Sequence, residues 1–276
     1  MNLATNLIDT AAIWGDSAAL KHDDTEFSYA QLDDVSARVA GLLVGSGVEP
    51  GDRVGLMLPN VAWFPPIYYG ALLTGAVVVP INPRGSVFET RFLLEDSKVS
   101  LVLAWHTLAD VALPAAGRSG ATCVFVEPDG FWEVLVEHEP LLEAVRRAEE
   151  DVAVHAYGSD APTWSIRTEL THGTLAATAE RGADMLKLEP DNTVLPALPM
   201  FFSSMQGLMN ATVVAGARMT LLQYFDADKA LDVIERDEVT LLAGHPAMHR
   251  AVDRARAERS SNGGMRLPKA IDGPPA

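Results

Sequence analysis

Short apolar, β-branched runs alternate along the chain with stretches whose apolar residues recur every three or four positions. This alternation is typical of βαβ units arranged around a mainly parallel sheet. Eight runs predict strands, at 53–58, 77–81, 101–105, 123–126, 152–157, 193–198, 219–222 and 240–243. The pattern therefore predicts an α/β fold.

Two of the intervening helices can be placed from their capping residues. Ser28 followed by Gln31 forms a capping box, and Gly47 is placed to end that helix. Five apolar residues share its predicted buried face: Leu32, Val35, Val39, Leu42 and Leu43. Asp226 is the candidate cap of a second helix, which Asp237 closes. Its buried face would hold Ala230, Leu231 and Ile234.

The acidic segment 131–151 has a helical pattern that Pro140 interrupts, and we expect a boundary at its end. The predicted organisation is a first α/β subdomain at 1–150 and a second at 151–276.

Charge and composition exclude several classes of function. The 276 residues carry a formal charge of -16, which would repel nucleic acids and anionic membranes. No apolar run approaches the roughly 20 residues of a membrane span, and the first residues lack a secretory signal pattern. We therefore predict a soluble, cytoplasmic protein. The single cysteine, Cys123, lies in an apolar run and is predicted to be a strand residue rather than a reactive thiol.

Several segments together resemble the N-terminal domain of acyl-CoA synthetases of the adenylate-forming superfamily. They are Arg53-Val54-Gly55, Leu58-Pro59-Asn60, Tyr68-Tyr69-Gly70-Ala71-Leu72, Gly75-Ala76-Val77-Val78-Val79-Pro80-Ile81-Asn82-Pro83, Asp96-Ser97, Phe225-Asp226 and Gly244-His245-Pro246-Ala247-Met248. The resemblance runs in order along essentially the whole chain. It implies two layered βαβ subdomains with helices outside, and a chain truncated before the small barrel and the C-terminal domain of that family.

The family's phosphate loop, Y-T-S-G-T-T-G-x-P-K-G, corresponds here to residues 157–167. In that loop, small residues let consecutive N–H groups wrap a triphosphate, and the lysine adds positive charge. Asp160 stands at the position of the first glycine, Pro162 removes a donor, and Ile166 replaces the lysine. Arg167, one place further on, is a partial substitute at most. We expect this loop to have lost ATP binding.

Two further positions depart from the family pattern. The family histidine of L-P-L-F-H-S-x-G is Phe202 here and its glycine is Met205, which favours core packing over a remodelled ligand pocket. Near the end of the chain, Pro268 is expected to interrupt a central strand.

Residues in loops at the carboxyl ends of strands could still build a site in the inherited cleft. His245, Ser204 and Asp160 are the candidate catalytic residues of a hydrolytic arrangement, although no G-x-S-x-G elbow is present. The candidate substrate-binding residues are Tyr157, Phe202, Ser203, Gly207 and Gly244. His245 and His249 lie four apart without a third ligand, so we predict no metal and no cofactor.

Three functions stay open. The first, which we favour, is a non-adenylating homologue that binds an acyl or aryl group, free or carrier-bound, or a partner protein, in a biosynthetic pathway. The second is a repurposed enzyme that hydrolyses an acyl thioester, ester or amide without nucleotide. The third is an AMP-forming ligase completed by a separate chain. Absence of the family's later elements would expose an apolar patch, so we expect a homo- or hetero-oligomer.

Overall fold

The computed structural model describes residues 1–158, 166–259 and 268–272, and it has an α/β fold. The helices of the described residues are α1 (Thr5–Trp14), α2 (Tyr29–Gly45), α3 (Phe64–Leu73), α4 (Val87–Asp96), α5 (Ala109–Ser119), α6 (Phe131–Val136), α7 (His172–Leu186), α8 (Ser203–Val214), α9 (Ala227–Arg236) and α10 (Pro246–Arg259). The strands are β1 (Ala18–His22), β2 (Thr25–Ser28), β3 (Arg53–Met57), β4 (Val77–Pro80), β5 (Val99–Trp105), β6 (Thr122–Val126), β7 (Val152–Tyr157), β8 (Arg167–Thr171), β9 (Thr193–Pro196), β10 (Arg218–Leu221), β11 (Leu241–Gly244) and β12 (Lys269–Asp272).

The described strands form two mostly parallel sheets. Sheet A has the order β12-β11-β9-β10-β1-β2, and sheet B has the order β6-β5-β3-β4-β7-β8. The strands β2 and β8 pair antiparallel to their neighbours, β1 and β7. Parallel sheets need crossover connections, which the helices provide.

All eight predicted strands are present, with ends shifted by a few residues, whereas β1, β2, β8 and β12 were not predicted. The strands β2 and β8 are edge strands with largely exposed side chains, so they lack an apolar run. The expectation that Pro268 interrupts a central strand is wrong. Pro268 precedes β12, which is an edge strand of the described part of sheet A, and the Lys269 N–H donates to the Thr240 carbonyl at 2.9 Å.

The two sheets do not follow the predicted division into 1–150 and 151–276. The strands β7 and β8 belong to sheet B, where Val154 pairs with Val78. The strands β1 and β2 belong to sheet A, where Leu20 pairs with Met219. Each sheet therefore takes strands from both sides of residue 151, because strands that are close in sequence need not pair.

The predicted caps are confirmed. Ser28 and Gln31 form a capping box at α2, and Asp226 accepts a hydrogen bond from the Lys229 N–H at α9. The helical pattern of 131–151 gives only α6. The following irregular segment is held by two hydrogen bonds, from the Leu141 N–H to the Ala37 carbonyl in the middle of α2 and from the Val145 N–H to the Leu73 carbonyl at the end of α3.

A buried polar contact joins α3 to α8. Tyr69 donates to Asn210 Oδ1 at 2.8 Å, and Asn210 Nδ2 donates to the Tyr68 hydroxyl at 3.3 Å. Burial raises the pKa of both tyrosines well above the usual range, so both stay protonated. Because α3 is buried along its length, this contact fixes α8 against the core.

Candidate functional site

An open, largely apolar cleft of about 500 Å³ lies between α7 and α8. We call it the α7–α8 cleft. Its walls include Thr174, Thr178 and Gly182 from α7, and Ser204, Gly207 and Ala211 from α8. Ala243 of β11 and Ile271 of β12 close one side.

Two glycines determine the width of this cleft. A Cβ at Gly182 would lie 3.2 Å from the Cβ of Ala211, so the absence of a side chain lets the two helices approach closely there. A Cβ at Gly207 would meet nothing within 4 Å, so this position leaves the cleft open. A larger residue at Gly207 would project into free space.

Two buried amides hold the loop that leads from β9 into α8. Asn60 Oδ1 accepts from the Met200 N–H at 2.7 Å, and its Nδ2 donates to the Leu198 carbonyl at 3.0 Å. Gln206 Nε2 donates to the carbonyls of Met200 and Phe201, at 3.2 and 3.1 Å. These bonds fix the start of α8, and with it Ser203 and Ser204.

The predicted hydrolytic arrangement is not assembled among the described residues. The Ser204 hydroxyl is buried and has no hydrogen-bond partner in the described part of the chain. His245 Nδ1 accepts from the Ala247 N–H at 3.2 Å, so this imidazole caps the start of α10 instead of serving as a base for Ser204. Asp160 lies outside the described residues.

A second cleft, of about 370 Å³, lies where the loops after β4, β9 and β10 meet. We call it the Arg84 cleft. The Arg84 guanidinium lies 4.9 Å from the ring centroid of Tyr224, a cation–π distance. Phe202 also lines this cleft and stacks on Phe201, with ring centroids 4.3 Å apart.

The two ends of the loop between β7 and β8 form a polar cluster with the end of α4. The Tyr157 hydroxyl donates to Asp96 Oδ2 at 2.6 Å and lies 2.6 Å from Ser97 Oγ. Burial, together with the hydrogen bond to Asp96, raises the pKa of Tyr157 to about 12. Arg167 Nη1 donates to the same Asp96 oxygen at 3.0 Å, and Arg167 Nε lies 3.5 Å from a Glu169 oxygen. Asp96 and Glu169 thus already hold the Arg167 guanidinium.

His155 completes this cluster. His155 Nδ1 lies 3.1 Å from Ser97 Oγ, and its Nε2 lies 3.7 Å from Glu169 Oε1. Burial lowers the pKa of His155, and the charge of Arg167 lowers it further. Ile166, which occupies the lysine position of the resemblance, is 59% exposed. The described ends of this loop therefore present no free cation to a phosphate.

Residues 7–269 match the family model of the AMP-binding enzymes. The chain belongs to this family. A feruloyl-CoA synthase of an Amycolatopsis species is 31% identical over 238 residues, which are 86% of this chain and 47% of that protein. A long-chain-fatty-acid–CoA ligase, FadD13 of Mycobacterium tuberculosis, is 27% identical over 235 residues, covering 82% of this chain and 45% of that one.

Solved structures of similar proteins agree with the family and the fold. The N-terminal domain of FACL13 from Mycobacterium tuberculosis superposes with a TM-score of 0.83 at 26% identity, covering 93% of this chain and 65% of that chain. The long-chain-fatty-acid–CoA ligase FadD1 of Archaeoglobus fulgidus gives 0.84 at 25% identity, covering 94% and 54%. The chain spans about half the length of the curated relatives that it matches.

The predicted site residues of this chain lie in several separate places. Ser203, Ser204 and Gly207 line the α7–α8 cleft, as does the buried Met205, whereas Phe202 lines the Arg84 cleft. The other two predicted residues lie elsewhere. Tyr157 belongs to the polar cluster at the loop ends, and Gly244 is buried where a Cβ would lie 3.2 Å from the Cβ of Ala197.

Sequence reasoning missed the residues that position the site. Asn60 lies within the segment Leu58-Pro59-Asn60, and a polar amide inside an apolar run is a signal that could have identified it. Gln206 and Thr178 carried no such signal, because polar residues on a helix usually face solvent. No group of three or more His, Cys, Asp or Glu residues in the described ranges could hold a metal ion. Within those ranges, no helix combines the length and apolar character that crossing a membrane requires.

Proposed function

We propose that this chain binds the acyl or aryl group of a carboxylic acid, or of its thioester, in the α7–α8 cleft. The observation that carries the proposal is the cleft itself, about 500 Å³ with a mainly apolar lining. This volume falls within the range of about 300–1,000 Å³ that is usual for small-molecule sites. The relatives are named for feruloyl-CoA and long-chain fatty acids, which have apolar bodies.

Burial of apolar surface would supply the affinity. Each buried methylene contributes about 0.8 kcal/mol, so eight methylenes offer about 6 kcal/mol before the costs of association. We therefore expect medium-chain or aryl acids to bind with dissociation constants of about 10 µM to 1 mM.

We further propose that the chain does not adenylate this acid. Two described residues support this: Ile166 is exposed where the family pattern has a lysine, and Arg167 is held by Asp96 and Glu169. Asp160 and Pro162, which also argue against a phosphate site, lie outside the described residues. The proposed role is binding of an acyl group within a biosynthetic pathway.

The second candidate is one half of an AMP-forming ligase that a separate chain completes. The observation in its favour is the similarity itself, which extends over residues 7–269 and about half the length of the relatives. This candidate requires release of pyrophosphate from ATP once the second half of a relative such as FadD13 is supplied. The nucleotide-independent hydrolase has less support, because Ser204 and His245 make no contact that would activate the serine.

Calorimetric titration with decanoate, ferulate and magnesium ATP tests the proposal. We expect at least one acid to bind and ATP to give no saturable heat. In a Gly207→Leu variant the new side chain should fill the cleft and weaken acid binding at least tenfold. Gly117→Leu is the matched control, because a Cβ at Gly117, on the exposed face of α5, also meets nothing within 4 Å.

Acid affinity that is unchanged in Gly207→Leu would overturn the proposed site. Micromolar ATP binding would overturn the proposed loss of adenylation, and pyrophosphate release with an added second half would favour the ligase candidate. The expected oligomer is a separate prediction, which light scattering of the purified chain checks.

A further inference from the structure

The polar cluster at the ends of β7 and β8 contains a histidine whose hydrogen bonds determine which ring nitrogen carries its proton. We infer that a directed chain of hydrogen bonds ends at His155, and that the unprotonated Nε2 of this residue is a pH-sensitive switch. Proton uptake at Nε2 would pair His155 with Glu169 and take this carboxylate away from Arg167. The inference does not depend on acid binding in the α7–α8 cleft.

The direction of the chain follows from the protons that each group can donate. The Asp96 carboxylate, which is paired with Arg167 at 3.0 Å, can only accept. The Tyr157 hydroxyl therefore donates its one proton to Asp96 Oδ2, at 2.6 Å. Ser97 Oγ lies 2.6 Å from the same hydroxyl, so the proton between these two oxygens belongs to the serine.

The chain ends at His155, whose Nδ1 lies 3.1 Å from Ser97 Oγ. Because the serine proton is donated to Tyr157, Ser97 accepts here and His155 Nδ1 carries the donated proton. A neutral imidazole has one N–H, so Nε2 keeps a lone pair. This lone pair faces Glu169 Oε1, another acceptor, and the 3.7 Å between the two atoms is longer than a hydrogen bond. The distance agrees with the deduced tautomer.

Protonation of Nε2 would turn this unbonded contact into a charged hydrogen bond. Such bonds are about 2.7–2.9 Å long, so Glu169 would move towards the imidazole by about 1 Å. Its side chain is 52% exposed, which leaves room for this movement. The same carboxylate oxygen lies 3.5 Å from Arg167 Nε, so the two partners compete for it. In acid, Asp96 would remain as the carboxylate that holds Arg167.

Charged groups from three elements face the imidazole and set the pH of this switch. They are Arg167 and Glu169 on β8, Arg53 on β3 and Asp96 on α4. Burial lowers the pKa of His155 most, the two arginines lower it further, and the two carboxylates raise it. Proton uptake therefore occurs below about pH 6.5, the usual value for histidine. Neutral His155 contributes stability above that pH, and this contribution is lost in acid.

Nitrogen-15 NMR of the full chain, labelled at histidine, tests the tautomer. At about pH 7.5 we expect the ring nitrogens of His155 to show the Nδ1–H form, and His155→Gln identifies their signals. Tyr157→Phe frees the serine proton for the imidazole, so the Nδ1–H form should no longer predominate. Tyr224→Phe is the matched control and should leave the tautomer unchanged, since Tyr224 belongs to the Arg84 cleft.

A titration from about pH 7.5 to about pH 4.5 tests the switch. We expect the Arg167 Nε–H to exchange faster with water as His155 takes up its proton, and His155→Gln should lack this step. Glu169→Gln should lower the midpoint of His155 by about 0.5 pH unit or more, because the charge of Glu169 raises the pKa. Asp23→Asn is the control for charge removal, since Asp23 lies beside His22 instead, and it should not shift this midpoint.

An Nε2–H tautomer near neutral pH in the folded wild type would overturn the directed chain. An imidazole that stays neutral throughout the titration, or an Arg167 signal that changes equally in His155→Gln, would overturn the switch. Thermal melting of each variant shows that it is folded. These outcomes leave the proposed function standing, because calorimetry of acid binding tests that function separately.

Discussion

The Arg167 guanidinium donates through Nη1 to Asp96 Oδ2 at 3.0 Å, and this pair joins the loop between β7 and β8 to the end of α4. The same carboxylate oxygen accepts from the Tyr157 hydroxyl at 2.6 Å. Asp96 therefore ties together both described ends of the loop.

Replacing Asp96 by Asn should weaken both of these contacts. The pair is about one-third exposed, so solvent screening limits its contribution, and we expect the free energy of unfolding to fall by about 1 kcal/mol. Urea unfolding followed by circular dichroism measures this loss. Glu95→Gln, which breaks the exposed Arg91–Glu95 pair on α4, is the control and should cost less than about 0.5 kcal/mol. Equal losses in the two variants would contradict the role assigned to Asp96.

Acid should destabilise the protein through His172, whose Nδ1 accepts from the Leu3 N–H at 3.0 Å. Burial, with the charge of Arg147, lowers the pKa of His172 to about 4. A histidine whose pKa is lower in the folded than in the unfolded protein contributes stability above about pH 6.5, and this stability is lost as the pH falls towards 4. Full loss would be no more than about 3 kcal/mol.

The unfolding free energy of the wild type should therefore decrease between pH 7 and pH 4.5 more steeply than that of His172→Asn. An Asn side-chain oxygen can accept from the Leu3 N–H, and it does not titrate. NMR titration of the His172 ring protons provides an independent readout. A ring that titrates near pH 6.5 in the folded protein would refute this prediction.

Asp237 is a buried carboxylate that should be important for stability. Burial alone would raise its pKa, but hydrogen bonds from Arg236, Lys21 and Thr220 outweigh this and hold the pKa well below the usual range. Asp237→Asn would leave Lys21 without its counter-charge, so we expect a loss of about 3 kcal/mol in chemical unfolding at pH 7. Asp228→Asn, at an exposed pair with Arg259, should cost far less, because solvent screens that pair.

The buried strands and helices of this fold could be predicted because buried segments have a recognisable pattern of apolar residues. Apolar runs identified the central strands, and Ser28 and Asp226 identified helix starts through their side-chain caps. The edge strands β2 and β8 were missed because their side chains are largely exposed and form no apolar run. They are strands because they pair with β1 and β7, and their own sequence does not show this pairing. The same holds for sheet membership, since β7 pairs with β4 across more than 70 intervening positions.

The candidate site was predictable only in part. Ser203 and Gly207 were candidate binding residues and Ser204 was a candidate catalytic residue, and all three line the α7–α8 cleft. The role of His245 could not be read from its position, because its bond to the Ala247 N–H depends on the local geometry of the α10 start. Nothing in the sequence showed that Gln206 would donate to the carbonyls of Met200 and Phe201.

Asn60 gives the most direct test of how the site is held in place. Its amide accepts from the Met200 N–H and donates to the Leu198 carbonyl, so Asn60→Ala would leave two buried backbone groups without partners. We expect the free energy of unfolding to fall by about 2–6 kcal/mol, because each unsatisfied group costs about 1–3 kcal/mol. Since Met200 lies in the loop that begins α8, affinity for an acid bound in the α7–α8 cleft should also fall, by about threefold to tenfold. Asn60→Asp separates the two hydrogen bonds, because its carboxylate can still accept from the Met200 N–H but cannot donate to the Leu198 carbonyl. A folded Asn60→Ala variant that binds the acid as tightly as the wild type would show that the start of α8 is fixed by other contacts, chiefly those of Gln206.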